Sequence, residues 1–215
     1  MFSPPDILIL FAVKEEMAPF QKLARGNSAV RAVTGGMGQR NAESSVRREL
    51  AAARPALVIT SGFAGGLDPA LQSGQVIFDA DENFPLVGAL TRAGATAALF
   101  HCADRVAVTS RAKAALQAET GAQAVEMESG VIRQICREQG VPSATVRVIS
   151  DIAQEDLPLD FNAMYTADYR LNFGKLAWTL LRSPALIPRL LAFSKQVNFA
   201  ARELATVLHS ITIRA

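Results

Sequence analysis

Apolar residues recur along the chain in two rhythms. Ile7 to Val13, Ala29 to Thr34, Ala56 to Ser61, Gly74 to Phe78 and Ala144 to Ile149 are short apolar runs, several rich in β-branched residues. Such runs read as strands, and the nearly unbroken ones suit a parallel sheet covered on both faces. Between them the spacing changes to three and four. Helices are predicted from Lys14 through Met17 and Phe20, from about Asn41 to Ala53, and after Ser129. In the last of these, Val131, Ile132, Ile135 and Cys136 form an apolar stripe opposite Arg133, Gln134, Arg137 and Glu138, and Gly140 and Pro142 stop the helix. From Leu157 the chain turns through Pro158 and Asp160 to Asn172. It reads helical from Phe173 to Leu181, breaks at Ser183-Pro184, and resumes from about Pro188 to Ser210, with Leu190, Leu191, Val197, Leu204 and Leu208 expected in the core. Strands alternating with helices predict an α/β fold.

Two acids stand out against this pattern. Glu128 is four and seven residues before Ile132 and Ile135, so it shares their apolar side at the helix start, where the macrodipole favours a carboxylate. Asp151 follows the Ala144 to Ile149 strand, in which Arg147 is the one charge. In a strand-helix-strand unit the helix start and the end of the next strand share one edge of the sheet, so Glu128 and Asp151 are expected to meet there. That is the carboxyl edge, the usual ligand edge of open α/β sheets. Two glycine-rich stretches are expected as turns at the same edge, Gly35 to Gly38 and Gly62 to Leu67. Glycines between strand and helix permit close backbone approach and offer N–H groups to an anion. The spacings fit neither a dinucleotide fingerprint nor a Walker loop.

A chain of 215 residues, half of them hydrophobic, has enough apolar surface for one domain with a sizeable core. Its net charge of +2 and the lack of a basic run argue against a nucleic-acid partner. Cys102 and Cys136 are expected as reduced thiols of a cytoplasmic protein. Met1 to Leu10 has no basic start and carries Asp6, unlike a signal peptide. The most apolar segment, Leu176 to Phe193, is interrupted by Arg182, Pro184, Pro188 and Arg189, so no membrane span is expected. His101 and His209 lack ligand or triad spacing, and Asp79, Asp81 and Glu82 read as charges on a solvated turn. No metal or cofactor is expected.

Val125-Glu126-Met127-Glu128 followed by Val146-Arg147-Val148-Ile149-Ser150-Asp151 resembles the nucleoside phosphorylase family, most closely its methylthioadenosine/S-adenosylhomocysteine nucleosidase branch. The resemblance implies a three-layer α/β/α fold with a mixed, mainly parallel twisted sheet. It also implies a purine nucleoside substrate, with water or phosphate as co-substrate, and a homo-oligomer. On the matching positions it makes Asp151 the acid that protonates the purine N7, with Ser150 orienting it, and Glu16 the handler of the attacking water. Glu126, Met127 and Glu128 then hold the ribose, Phe63, Ala64 and Gly65 floor the sugar site, and Arg105 and Val106 lie by the base. Arg147 is expected to pair with an acid, Glu16 or Glu128.

This sequence also departs from the family pattern. Thr60 stands where phosphorolytic members carry an arginine, Phe63 replaces a small hydroxyl residue, and the chain is shorter after Asn83. The missing arginine favours hydrolysis. For phosphorolysis, the nearest anion-binding residues are Gly36, Gly38 and Arg40. A non-catalytic nucleoside-binding protein is the third reading. The Ser183 to Phe193 stretch is also similar to hopanoid-associated phosphorylases, which implies a bulky apolar group on the 5′ carbon.

Overall fold

Every residue from Ile7 to Phe11 is buried, as a strand requires when helices cover both its faces. The computed structural model describes residues 7–164, 166 and 172–213. Its strands are β1 (Ile7–Phe11), β2 (Val30–Thr34), β3 (Leu57–Gly66), β4 (Val76–Ala80), β5 (Thr96–Ala97), β6 (Phe100–Cys102), β7 (Ala124–Glu126) and β8 (Ser143–Asp151). Its helices are α1 (Lys14–Leu23), α2 (Gln39–Ala52), α3 (Val87–Arg92), α4 (Ser110–Thr120), α5 (Ser129–Glu138), α6 (Phe161–Met164), α7 (Phe173–Arg182) and α8 (Leu186–Thr212). Part of the turn expected between Pro158 and Asn172, residues 165 and 167–171, lies outside the described residues.

The sheet runs β2-β1-β3-β8-β4-β5. β2, β1, β3 and β8 are mutually parallel and β4 is antiparallel to β8. Alternate residues of β1 separate two cores, one on each face. Ile7, Ile9 and Phe11 pack with Met17 and Phe20 of α1 and with Leu204 and Leu208 of α8. Leu8 and Leu10 pack with Val46 of α2 and Ile132 and Ile135 of α5. The architecture is the three-layer, mainly parallel α/β/α fold, with successive residues of β1 facing opposite layers.

Four expectations are corrected. Gly62 to Gly66 do not form a turn but extend β3, because β8 on one edge and β7 on the other give this backbone ladder partners up to Gly65 and Gly66. β7 is antiparallel to β3 and β8 parallel to it, so β7, α5 and β8 are not a parallel crossover unit. Glu128 and Asp151 still reach one edge, since Glu128 precedes α5 and Asp151 ends β8. Asp79 and Asp81 are not solvated turn charges. Both pair with Arg133, and Asp81 also accepts from the Ser143 amide and hydroxyl, pinning the start of β8 to α5.

The fourth correction concerns the C-terminal helices. Leu204 and Leu208 are core, but α8 buries nothing before Ala200 and the described residues of α7 include no buried one. Leu190 and Val197 line a cavity and Leu191 is exposed. Periodicity finds the apolar face of a helix but not what lies against it. α8 also begins earlier than expected, at Leu186. Pro188 sits in its first turn, where a missing N–H costs no intrahelical bond.

Candidate active site

The carboxyl edge of the sheet opens into a cavity of about 800 Å³. Glu16 enters it from the first turn of α1. Its Oε2 accepts from the Ala12 and Val13 amides at 2.9 and 3.1 Å and its Oε1 from the Phe63 amide at 2.9 Å. The carboxylate thus ties the start of α1 to β3. Burial pushes the Glu16 carboxyl above its ordinary range, opposed by the Arg147 guanidinium and these three amides. Gly62 makes room for the arrangement. A Cβ there would lie 2.5 Å from Glu16 Oε1 and 2.6 Å from Arg147 Nη1, and its φ of +146° is one that side chains avoid.

Arg147 is buried between three acids. Its Nη2 lies 2.6 Å from Glu126 Oε2 and 3.3 Å from Glu128 Oε2, and also donates to Thr60 Oγ1, while Nη1 donates to the Ser61 carbonyl. The nearest partner is therefore Glu126 rather than Glu16 or Glu128. Glu126 is further saturated by the amides of Glu128 and Ser129 and the Ser129 hydroxyl. Although burial opposes it, Arg147 and these donors hold the Glu126 carboxyl below its ordinary range. Glu126 lines the cavity, but its geometry is that of a residue that positions Arg147 and α5.

Glu128 contrasts with its neighbour. Gly38 N–H donates to its Oε1 at 2.9 Å. Burial, with Glu126 and Glu16 nearby, still pushes its carboxyl up to about 7 despite Arg147. Desolvation outweighs the favourable dipole of the helix start, an effect confined to the first turn. The sign for stability follows. A carboxyl raised from about 4.5 to about 7 on folding stabilises the fold at low pH, and that contribution is lost as pH rises between these values.

Asp151, at the end of β8, is also buried. Ser150 Oγ donates to its Oδ1 at 2.6 Å, and Lys113 Nζ of α4 lies 2.5 Å from its Oδ2. Lys113 is 0% exposed and also donates to the carbonyls of Ile152 and Glu155. The resemblance makes Asp151 an acid oriented by Ser150, and it gives no second partner for the carboxyl. The structure supplies that partner as a buried ammonium. Lys113 went unnoticed in the sequence, although it sits one turn before Leu116 on the side of α4 that faces inward.

The cavity is lined by Glu16, Phe63, Ala64, Gly65, Arg105 and Val106 and by Glu126, Met127, Glu128, Ser150 and Asp151. The anion-binding alternative fares differently. The amides of Gly36 and Gly38 already donate to the Ala12 carbonyl and to Glu128, and Arg40 is exposed and is not part of the lining. Phe161, Met164, Leu176, Leu190, Phe193 and Val197 of α6, α7 and α8 add an apolar wall; Leu190 and Val197 were expected in the core, and Phe161 and Met164 were not singled out in the sequence.

Comparison with known proteins places this geometry. The profile of the Phosphorylase superfamily matches residues 91–182. A 5′-methylthioadenosine/S-adenosylhomocysteine nucleosidase of Marinomonas sp. is 32% identical over 165 residues, spanning 59% of this chain and 69% of the relative. The chain belongs to the nucleoside phosphorylase/nucleosidase family. It lies on the methylthioadenosine/S-adenosylhomocysteine nucleosidase branch and is an enzyme of that family. Solved nucleosidase-family structures share its fold. Futalosine hydrolase of Helicobacter pylori superposes with a TM-score of 0.73 at 18% identity, covering 99% of each chain. The nucleosidase of Colwellia psychrerythraea, in complex with adenine, gives 0.72 at 18% identity, covering 99% of this chain and 96% of the other.

Proposed function

We propose that this enzyme hydrolyses the N-glycosidic bond of an adenosyl-type purine nucleoside whose 5′ substituent is bulky and apolar. The observation that carries the reading is the two-ended lining of one cavity. Glu15, Glu16, Glu126, Glu128 and Asp151 line it from the sheet side, and among the described residues Arg105 is the one cation in the lining. The described residues of α6, α7 and α8 line it with apolar side chains, Ser194 excepted. An acidic sheet side repels a phosphate dianion and stabilises the positive charge that develops on ribose as the bond to the base breaks. With the Gly36 and Gly38 amides already occupied, water is the favoured nucleophile.

Asp151 passes a proton to the purine N7 as the bond breaks, and Lys113 stands behind it as the proton's source. Ser150 fixes the carboxyl plane. Glu128, ionised, holds the ribose hydroxyls, and Glu16 accepts the proton of the attacking water. Because Glu128 must be ionised to act, activity should rise with pH through about 7 while this residue's contribution to stability is being lost. A pH profile of kcat/KM checks this. Glu128→Gln should remove the limb near 7, and its persistence in that variant would take the limb away from Glu128.

The cavity lies toward the upper end of the roughly 300–1,000 Å³ range of small-molecule sites. A series of 5′-alkylthioadenosines, assayed for adenine release with and without phosphate, tests both parts of the proposal. Each added methylene buried against Leu176, Leu190 and Phe193 is worth about 0.8 kcal/mol, so kcat/KM should rise up to about fourfold per carbon. The rate should not depend on phosphate. Strict phosphate dependence would select phosphorolysis, a flat chain-length series would remove the apolar 5′ group, and tight binding without release would select a binding protein.

A further inference from the structure

α7 and the first half of α8 present an apolar surface that the described residues leave uncovered. Trp178 is 56% exposed, Leu181 76% and Leu191 60%, with Ile187 one turn before Leu191 on the same face. These helices are not polar segments that happen to lie outside. Their inner sides, Leu176, Leu190 and Phe193, line the cavity, so each helix is apolar inward and outward. The charges are all of one sign. From Phe173 to Arg202 the sequence holds Lys175, Arg182, Arg189, Lys195 and Arg202 and no acid. Arg182 stacks over the Trp178 ring at 4.4 Å, and Lys175 is one turn before it.

We propose that this surface docks the protein on an anionic phospholipid bilayer. A tryptophan flanked by cations, with an exposed leucine one turn on along the same helix and an exposed isoleucine and leucine at the start of the next, is the pattern of a segment lying in the lipid interface. The basic side chains meet the anionic headgroups and the apolar ones enter the acyl boundary. A second copy of the chain is the poorer occupant. A two-fold interface would bring the same cations of both copies together with no acid between them. Docking is peripheral, since among the described residues no helix is long and apolar enough to cross a membrane. It also places the apolar wall of the cavity next to the lipid. The proposal does not depend on the reaction the cavity performs, and its test needs no substrate.

Trp178 is the only tryptophan in the sequence, so intrinsic fluorescence reports the docking surface directly. The full chain should cosediment with vesicles of phosphatidylcholine and phosphatidylglycerol, with a blue shift of emission, and should bind phosphatidylcholine vesicles far less. High salt should release it. Trp178→Asp/Leu181→Asp should weaken cosedimentation by on the order of tenfold or more. Both residues are exposed, and an unchanged circular dichroism melt confirms that the variant folds. Neither cosedimentation nor a blue shift with anionic vesicles at low salt would overturn the proposal. So would concentration-dependent self-association without lipid that the double variant abolishes, since the surface would then be a subunit interface.

Discussion

Asp151→Asn is expected to slow base release by about 10²–10⁴-fold, the usual contribution of a positioned general acid. The amide cannot pass a proton to the base, and it removes the negative partner of Lys113. Lys113 is fully buried, so its ammonium would keep only the carbonyls of Ile152 and Glu155. Breaking a buried pair from one side costs about 3–5 kcal/mol, so the variant should also melt at lower urea concentration. Lys113→Met/Asp151→Asn should recover much of that stability, because a paired charge replaced on both sides is close to neutral. It should not recover activity. Urea titration and single-turnover adenine release separate the two effects. Lys113→Met alone decides whether the lysine does more than hold the aspartate. A shifted pH profile with reduced kcat supports its place in the proton path, and an unchanged profile at reduced stability would leave it a structural partner. A rate for Asp151→Asn within tenfold of the parent would sink the acid assignment.

The sequence made Asp151 legible and Lys113 not, and the reason is physical. Asp151 ends a nearly unbroken apolar strand, a position legible from consecutive residues. Lys113 meets it from a helix 38 residues earlier, through a contact that no local period encodes. The same holds for the glycines. Gly62 and Gly65 look like a turn because glycine is common in turns, yet they are extended because β7 and β8 pair with both edges of their backbone. What Gly62 provides is space for Glu16 and Arg147. The apolar spacing of Glu128 gives its side of the helix but not the desolvation that raises its carboxyl. β1, β2, β4, β8, α1, α2 and α5 lie within a few residues of their expected ranges and the apolar face of α8 was found, while α4, which carries Lys113, was not expected. Its division into core, cavity wall and uncovered surface depends on what packs against it, which periodicity alone does not contain.

Glu16→Gln should lower kcat by a similar factor, about 10²–10⁴-fold, for a different reason. Three backbone amides converge on the two oxygens of this carboxylate, one on Oε1 and two on Oε2. Whichever way the glutamine amide turns, its NH₂ faces at least one of those N–H groups, and a buried donor left without an acceptor costs about 1–3 kcal/mol. Some loss of stability is therefore expected, and activity alone cannot identify the role. The discriminating measurement is the split between binding and turnover. Affinity for a non-hydrolysable 5′-alkylthio analogue should change little, because the ribose is held by Glu128 and the 5′ group by the apolar wall. Loss of affinity in proportion to the loss of rate would mean that Glu16 only shapes the site. Phosphate provides the second arm. An acidic cavity that uses water has no use for added phosphate when its base is removed, so turnover of Glu16→Gln should stay low at any phosphate concentration. Recovery with phosphate would show that a nucleophile needing no base can enter. The acids around Arg147 would then be balanced toward the cation, not toward the oxocarbenium ion they are proposed to stabilise.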